Sequence, residues 1–447
     1  MFIIKLAILS IYIIVLVKLI LKKEPIYLAF WFLPLFMFVW KMVSLIYLEQ
    51  GVYATEMYRS TYETGADFTF LLMMSIFFLV GISSISKLNK LCHFVEVEKM
   101  NIKKNSLYIL GITNIHIIIL LYLYINLFIS GGNFSTSIEY VQNSKLPFVG
   151  PIGSTITYFL LVVDGICAFC LRKKTKKALL LFILSVIYML MIGAKFSGVF
   201  EYIVFFFSPL YIYIANNKTI RIKNLVSAKV LIPFVIVLSL FIGYSLYRYN
   251  NIYTNINGID FLFSRLFDMQ SGTIWGINDY LINHNITLFG SPHQLSIEIN
   301  GILSGVDELD GSIGLGKAMY LVAPSYIVDT YLSSGLRFSG WFLVVSFLSM
   351  GYFGSAILCI ILAIIFAIIC LTINLSMKNG NVIMLALSIY EYCQFFDYYR
   401  IGNFSILFNP INLLIIIFFI CTLLVYTHKN IKRRNVINEK SSISNMV

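Results

Sequence analysis

Apolar residues run in long unbroken blocks along this chain, each closed by a short polar or basic stretch. Neither the 3.6-residue stripe of a half-buried helix nor the strict alternation of a surface strand organises them. Most blocks approach the ~20 residues that carry an α-helix across a bilayer, and the ~10-residue alternating segments of a membrane barrel are missing. The pattern predicts spans at about 2–21, 26–48, 68–86, 107–130 and 152–171, then at about 230–247, 382–396 and 406–427. Two blocks are too long for one upright crossing. The stretch 178–215 would overshoot a bilayer about twofold as one helix at ~1.5 Å per residue, so it divides at Gly193-Ala194-Lys195-Phe196-Ser197-Gly198. The stretch 340–374 predicts a partly embedded segment, Trp341 to Met350, ahead of a full span from about Phe353. The fold class is an all-α polytopic membrane protein of about eleven helices, ten or twelve also fitting the block lengths. The first block has no basic region before it and no small-residue cleavage site after it, which predicts a span, not a cleaved leader.

Composition agrees: of 447 residues 59% are hydrophobic and 12% charged, well below the roughly one-quarter charged of soluble chains. The net charge of +12 adds orientation. Most Lys and Arg fall in alternate connections: Lys22 and Lys23, Lys87 to Lys104, Arg172 to Lys177, Lys218 to Lys229, and the tail Lys429 to Arg434. That is the pattern of cytoplasmic loops, not of a nucleic-acid surface. It predicts the N-terminus outside and the C-terminus inside. The chain then divides into 1–247 (eight helices with basic cytoplasmic loops), 248–339 (one large outer loop), 340–427 (three helices) and 428–447 (a basic tail). None of the seven cysteines lies in the outer loop, and the Cys167/Cys170 pair sits inside an apolar run, where packing outweighs redox chemistry.

The large loop holds Arg248, Arg265, Lys317 and Arg337 beside Asp268, Asp279, Glu298, Asp329, His284 and His293. Its run FLFSRLFDMQSGTIWGINDY (261–280), taken as one helix, puts Phe261, Arg265, Asp268 and Trp275 near one face. Two readings stand for it: an amphipathic anchor on the lipid surface, or a site where Arg265 meets phosphate and Gln270, Trp275 and Asp279 meet sugar. Lys195 interrupts an apolar stretch and calls for an anionic partner, either Glu201 or a ligand. Asp164, Glu201 and Glu391 lie in predicted spans, where pairing with Lys195, Lys41 or Lys18 and proton relay are the alternatives. No metal-binding spacing, nucleophile elbow or nucleotide fingerprint occurs, and Gly314-Leu315-Gly316-Lys317 follows an acidic run instead of an apolar strand.

Three features together resemble the O-antigen and oligosaccharide repeat-unit polymerases of the Wzy type. They are the glycine-plus-basic break Gly193-Ala194-Lys195, the large late loop opening with Arg265, Gln270 and Trp275, and the glycine-rich start of a late span at Ser349–Gly354. Lys195 stands where that family usually carries arginine. The resemblance implies transfer of a growing glycan from undecaprenyl diphosphate to a lipid-linked repeat unit, on the outer face of the bacterial cytoplasmic membrane. It implies diphosphate contacts from Arg265, Arg337, Arg248 and Lys195, sugar contacts from Gln270 and Trp275, and a base among Asp279, Glu298 and His284. It implies no cofactor and no metal. Its partners are membrane lipids and, where chain length is controlled, a regulator of it; nucleic acid is not among them. A flippase or other transporter of the same lipid-linked unit, and an O-antigen ligase or other polyprenyl-phosphate-dependent glycosyltransferase, are the competing expectations.

Overall fold

A computed structural model describes residues 2–22, 25–91, 106–132, 134, 137–194, 196–216, 243, 258–304, 311–333, 336–379, 381–408, 410, 412–422 and 424. The protein is helical, with one two-residue β-hairpin among the described residues. The helices are α1 (Phe2–Leu21), α2 (Pro25–Leu48), α3 (Ala66–Leu91), α4 (Ser106–Ser130), α5 (Ser137–Gln142), α6 (Val149–Leu171), α7 (Thr175–Met191) and α8 (Phe196–Asn216). The polar interval contributes α9 (Gly258–Phe267), α10 (Gly272–Asn283), α11 (Pro292–Ser304), α12 (Gly314–Val322) and α13 (Ser325–Ser333). Then follow α14 (Phe342–Asn379), α15 (Val382–Ile401), α16 (Phe404–Phe408) and α17 (Asn412–Thr422). Six described helices, α1, α2, α3, α4, α6 and α14, have stretches long and apolar enough to cross a membrane. Helices are what such sequences must form, because a chain in lipid has to satisfy every backbone N–H and C=O within itself. The expected span at 230–247 and the basic stretches 218–229 and 429–434 lie outside the described residues.

The start of α1 stands beside the start of α3, where Lys5 Nζ meets Asp67 Oδ2 at 2.6 Å. That end of the bundle also carries the hairpin β1 (Tyr53–Ala54) and β2 (Arg59–Ser60) and the polar interval, and is called the loop face below. Glu49, at the end of α2, caps α3: its carboxylate accepts from the N–H groups of Thr64 (2.7 Å), Gly65 (3.0 Å) and Ala66 (3.0 Å). A carboxylate suits this place because it meets unpaired donors and the positive end of the helix dipole. The hairpin is thereby pinned at its base.

Both long apolar stretches divide. The 178–215 stretch turns back at Gly193, whose φ of +70° suits glycine, and Phe182 of α7 stacks on Phe206 of α8 at 4.4 Å. Helix α14 breaks at Gly351, where φ is +62° and ψ −167°. The half-helix 342–350 is almost wholly buried, and the segment 287–291 of the polar interval lies in the break. There Tyr352 N donates to Thr287 O (2.8 Å), Phe353 N to Leu288 O (3.1 Å) and Ser291 N to Leu348 O (3.0 Å). These bonds replace ones the helix loses at the break, as a broken membrane helix requires. Contact is backbone on backbone: a Cβ on Gly351 would stand 2.4 Å from Gly290 N, and one on Gly290 2.4 Å from Gly351 N.

Aromatic side chains fill the centre. Trp31, fully buried, is ringed by Phe77, Phe78 and Phe366 at 4.9–5.7 Å. Asp164 pairs with His116 of α4, Nδ1 to Oδ2 at 2.6 Å, a partner that neither alternative for it, a lysine pair or a proton relay, names. Glu201 accepts from Tyr158 OH and lies 3.7 Å from Arg400 Nη1.

Candidate functional site

The run 261–280 is two helices and not the single amphipathic one expected. Helix α9 stops at Phe267, residues 268–271 turn, and α10 starts at Gly272. The reason lies in α2. The last carbonyls of α9 and its turn are taken by donors from that helix: Trp40 Nε1 to Leu266 O (2.9 Å), Ser44 Oγ to Phe267 O, and Lys41 Nζ to Gln270 O (2.6 Å). A cation and two neutral donors at a helix C-terminus satisfy the acceptors that would otherwise be orphaned. Ser271 Oγ returns a bond to Lys41 O at 2.8 Å. Arg265 and Trp275 consequently sit on different helices.

Lys41 is 1% exposed and is the centre of the first of two polar nodes. Its ammonium donates to Gln270 O and, at 3.0 Å, to Ser339 Oγ, and it stands 5.4 Å from the Trp341 ring centroid. Ser339 in turn donates to Gln270 Oε1 at 3.1 Å. Four separate stretches of sequence converge on this node. Helix α2 supplies Lys41, α9 and its turn supply Arg265 and Gln270, the approach to α14 supplies Ser339 and Trp341, and the hairpin turn supplies Glu56.

Glu56 is 5% exposed. One carboxylate oxygen accepts from Tyr331 OH at 3.3 Å, and the other is buried with no hydrogen-bond partner among the described residues. Burial pushes this carboxyl up to about 8, opposed by Arg265, assisted by Asp268, and opposed more weakly by Tyr331 and Lys41. Asp268 itself is tied down, accepting from Thr55 N (3.3 Å), the Thr55 hydroxyl and Ser264 Oγ (2.5 Å).

The second node is built on Asp279. Its Oδ2 meets Arg59 Nη1 at 3.0 Å, while Oδ1 accepts from Tyr62 OH and from Asn283 Nδ2 at 3.0 Å. The Arg59 guanidinium lies 4.9 Å over the fully buried Trp275 ring, whose Nε1 donates to Tyr62 O at 3.0 Å. Trp275, expected to meet sugar, is a packed anchor of the hairpin here.

The other expected residues are scattered. Glu298, 3% exposed, accepts from Gln294 Nε2 (2.8 Å) and Gly314 N (2.7 Å), so its carboxylate caps the start of α12. Burial raises its carboxyl, and the Gly314 and Gln294 donors pull the other way. His284 is exposed, ends α10, and is bound through Nδ1 to Tyr280 O at 2.8 Å. Arg337 is half-buried, two residues ahead of Ser339. Lys195 and Arg248 lie outside the described residues. Of the expected set the structure gathers Arg265 and Gln270 in one node and Asp279 and Trp275 in the other.

Lys41, Glu56, Arg59 and Ser339 complete these nodes and were missed by sequence reasoning. A lysine inside an apolar span is itself a functional signal, and it was the one cue available for Lys41. Among the described residues no group of three or more His, Cys, Asp or Glu is placed to hold a metal ion.

Compared with known proteins, residues 308–417 match a family described as "Family of unknown function (DUF6418)". The matched stretch covers α12 to α16 and so includes Arg337, Ser339, Trp341 and the break at Gly351. No curated protein matches the chain. No solved structure matches it either.

Proposed function

We propose that this protein is a membrane glycosyltransferase that polymerises lipid-linked oligosaccharide repeat units. The growing glycan passes from a polyprenyl diphosphate, undecaprenyl diphosphate in bacteria, to the sugar end of a second lipid-linked unit. In this reading the chain crosses the cytoplasmic membrane about eleven times, with the loop face outside, where the charge bias puts it. The observation that carries the proposal is the Lys41 node: buried cationic and acidic groups, drawn from four stretches of chain, where the polar interval meets α2.

A site for this reaction must neutralise a diphosphate leaving group at the membrane surface. Lys41 and Arg265 fit that need, each donor aimed at developing phosphate charge being worth roughly a hundredfold or more in rate. Arginine adds a planar fork of donors that stays charged. The same surface has no requirement for a soluble nucleotide-sugar, which would be on the opposite side of the membrane. A transporter of the lipid-linked unit would be expected to concentrate its polar groups near the midplane, whereas these nodes lie at one end of the bundle.

Deletion in the native host, followed by analysis of surface glycan, tests the reading. A polymerase loss leaves single repeat units exported and attached to their acceptor; repeat units trapped on the cytoplasmic leaflet would instead identify a flippase. Purified protein given lipid-linked repeat units should make a ladder of products without added metal. Transfer to a lipid A core in place of a ladder would make it a ligase.

A further inference from the structure

Resting on that polymerase reading, we infer that Glu56, in the turn of the short hairpin, is the general base that activates the acceptor hydroxyl. The three groups expected for this role are each committed elsewhere. Asp279 is bound by Arg59, Tyr62 and Asn283; Glu298 caps α12; His284 is an exposed helix end tied to Tyr280 O. Glu56 differs from all three. It is buried, yet one oxygen has no hydrogen-bond partner among the described residues. Leaving a buried carboxyl half-satisfied costs stability, and at a site that cost is offset when a substrate hydroxyl supplies the missing contact.

Its surroundings suit the chemistry. Lys41 from α2, Arg265 and Asp268 from α9 and its turn, and Tyr331 from α13 are the charged and titratable groups acting on it. Two cations for the diphosphate thus stand beside one carboxyl for the acceptor. In the step, the acceptor hydroxyl oxygen forms a bond to the anomeric carbon of the donor glycan and gives its proton to the Glu56 carboxylate. The bond from that carbon to the diphosphate oxygen breaks, and its electron pair leaves with polyprenyl diphosphate. No oxidant, reductant or other co-reactant is needed. Burial raises the carboxyl to about 8, close to the working pH, where a general base is most effective.

The test uses the full chain in lipid nanodiscs, with two readouts. In the first, lipid-linked repeat units extracted from a host lacking the protein serve as substrate. Glu56→Gln should lower kcat at least about a hundredfold with KM little changed, and Glu56→Asp should recover part of it. Wild-type kcat should rise with pH and level off near 8, a limb missing from the residual Glu56→Gln activity. Unchanged kcat in Glu56→Gln overturns the inference. In the second, farnesyl diphosphate binding is measured at pH 6 and pH 9. At pH 6 Glu56 is protonated and both proteins should bind alike. At pH 9 its charge opposes the diphosphate in the wild type only, so Glu56→Gln should bind on the order of tenfold more tightly. Equal binding at pH 9 overturns the placement of Glu56 beside the diphosphate. A wild type that makes no polymer but shows the pH 9 difference overturns the polymerase reading and leaves Glu56 at a diphosphate site.

Discussion

Asp279 and Glu56 are both acidic, both nearly inaccessible and both engaged where the short hairpin meets the polar interval, yet their surroundings differ in kind. Asp279 is 3% exposed and receives a guanidinium, a phenol and an amide. Glu56 is 5% exposed and, among the described residues, receives one phenol, with its second oxygen unmet. Burial by itself therefore does not separate the two acids; the number of donors each receives does. The Asp279 node holds the hairpin in place, and the Lys41 node leaves a buried carboxylate oxygen unmet among the described residues.

Substitutions can break this contrast. The largest effect should come from Gly351→Ala, which damages the frame under both nodes. The added methyl must sit at φ +62° and 2.4 Å from Gly290 N, at a cost on the order of 3–5 kcal/mol. A sharp fall in melting temperature and folded yield is expected, and wild-type melting would show that the broken helix does not support the nodes.

Lys41→Met should separate function from framework. On the proposed reading it removes a diphosphate donor, and kcat should fall about a hundredfold, while leaving Gln270 O unmet costs about 1–3 kcal/mol in a denaturation curve. If kcat per folded molecule were unchanged, the cation would be purely structural.

Asp279→Ala should do the opposite. It strips Arg59, Tyr62 and Asn283 of their shared acceptor, and because Arg59 is 38% exposed the loss is about 1–2 kcal/mol. Rate per folded molecule should hold. A drop in kcat out of proportion to the loss of folded protein would return Asp279 to the candidate bases.

A pH series sharpens the comparison further. The Glu56 carboxyl is raised from 4.5 to about 8 on folding. Stability associated with its protonated form is therefore fully present below pH 4.5 and is lost as pH rises through 8. Glu56→Gln cannot ionise, so its melting temperature should match wild type near pH 4.5 and exceed it at pH 9. Parallel melting curves at the two pH values would mean that Glu56 is solvated.

The large features were legible because they depend on local composition. Block length and isolated glycines are enough to predict helices, the turn at Gly193 and the break at Gly351. The single helix expected over 261–280 failed for a non-local reason: donors from α2, over two hundred residues away in sequence, take its carbonyls. The same distance hid the nodes. Glu56 lies in the connection between the second and third predicted spans, where it carries no motif, and Lys41 was considered only as a possible partner for acids in spans. Arg265 and Gln270 were legible as a pair because five residues of local chain join them, Gln270 Nε2 donating to Arg265 O at 2.8 Å.

The seam between Gly290 and Gly351 also bears on how the protein is made. Residues 287–291 leave the ribosome before the broken helix they complete, so the partners for the N–H groups of Tyr352 and Phe353 already exist when α14 emerges. The polar interval is then part of the assembly of the bundle and not an appendage fitted to it afterwards. Moving a tag, a cleavage site or an insertion into 287–291 would interfere with the building of α14 itself, whereas the exposed end of α11 around Leu303 carries no such duty.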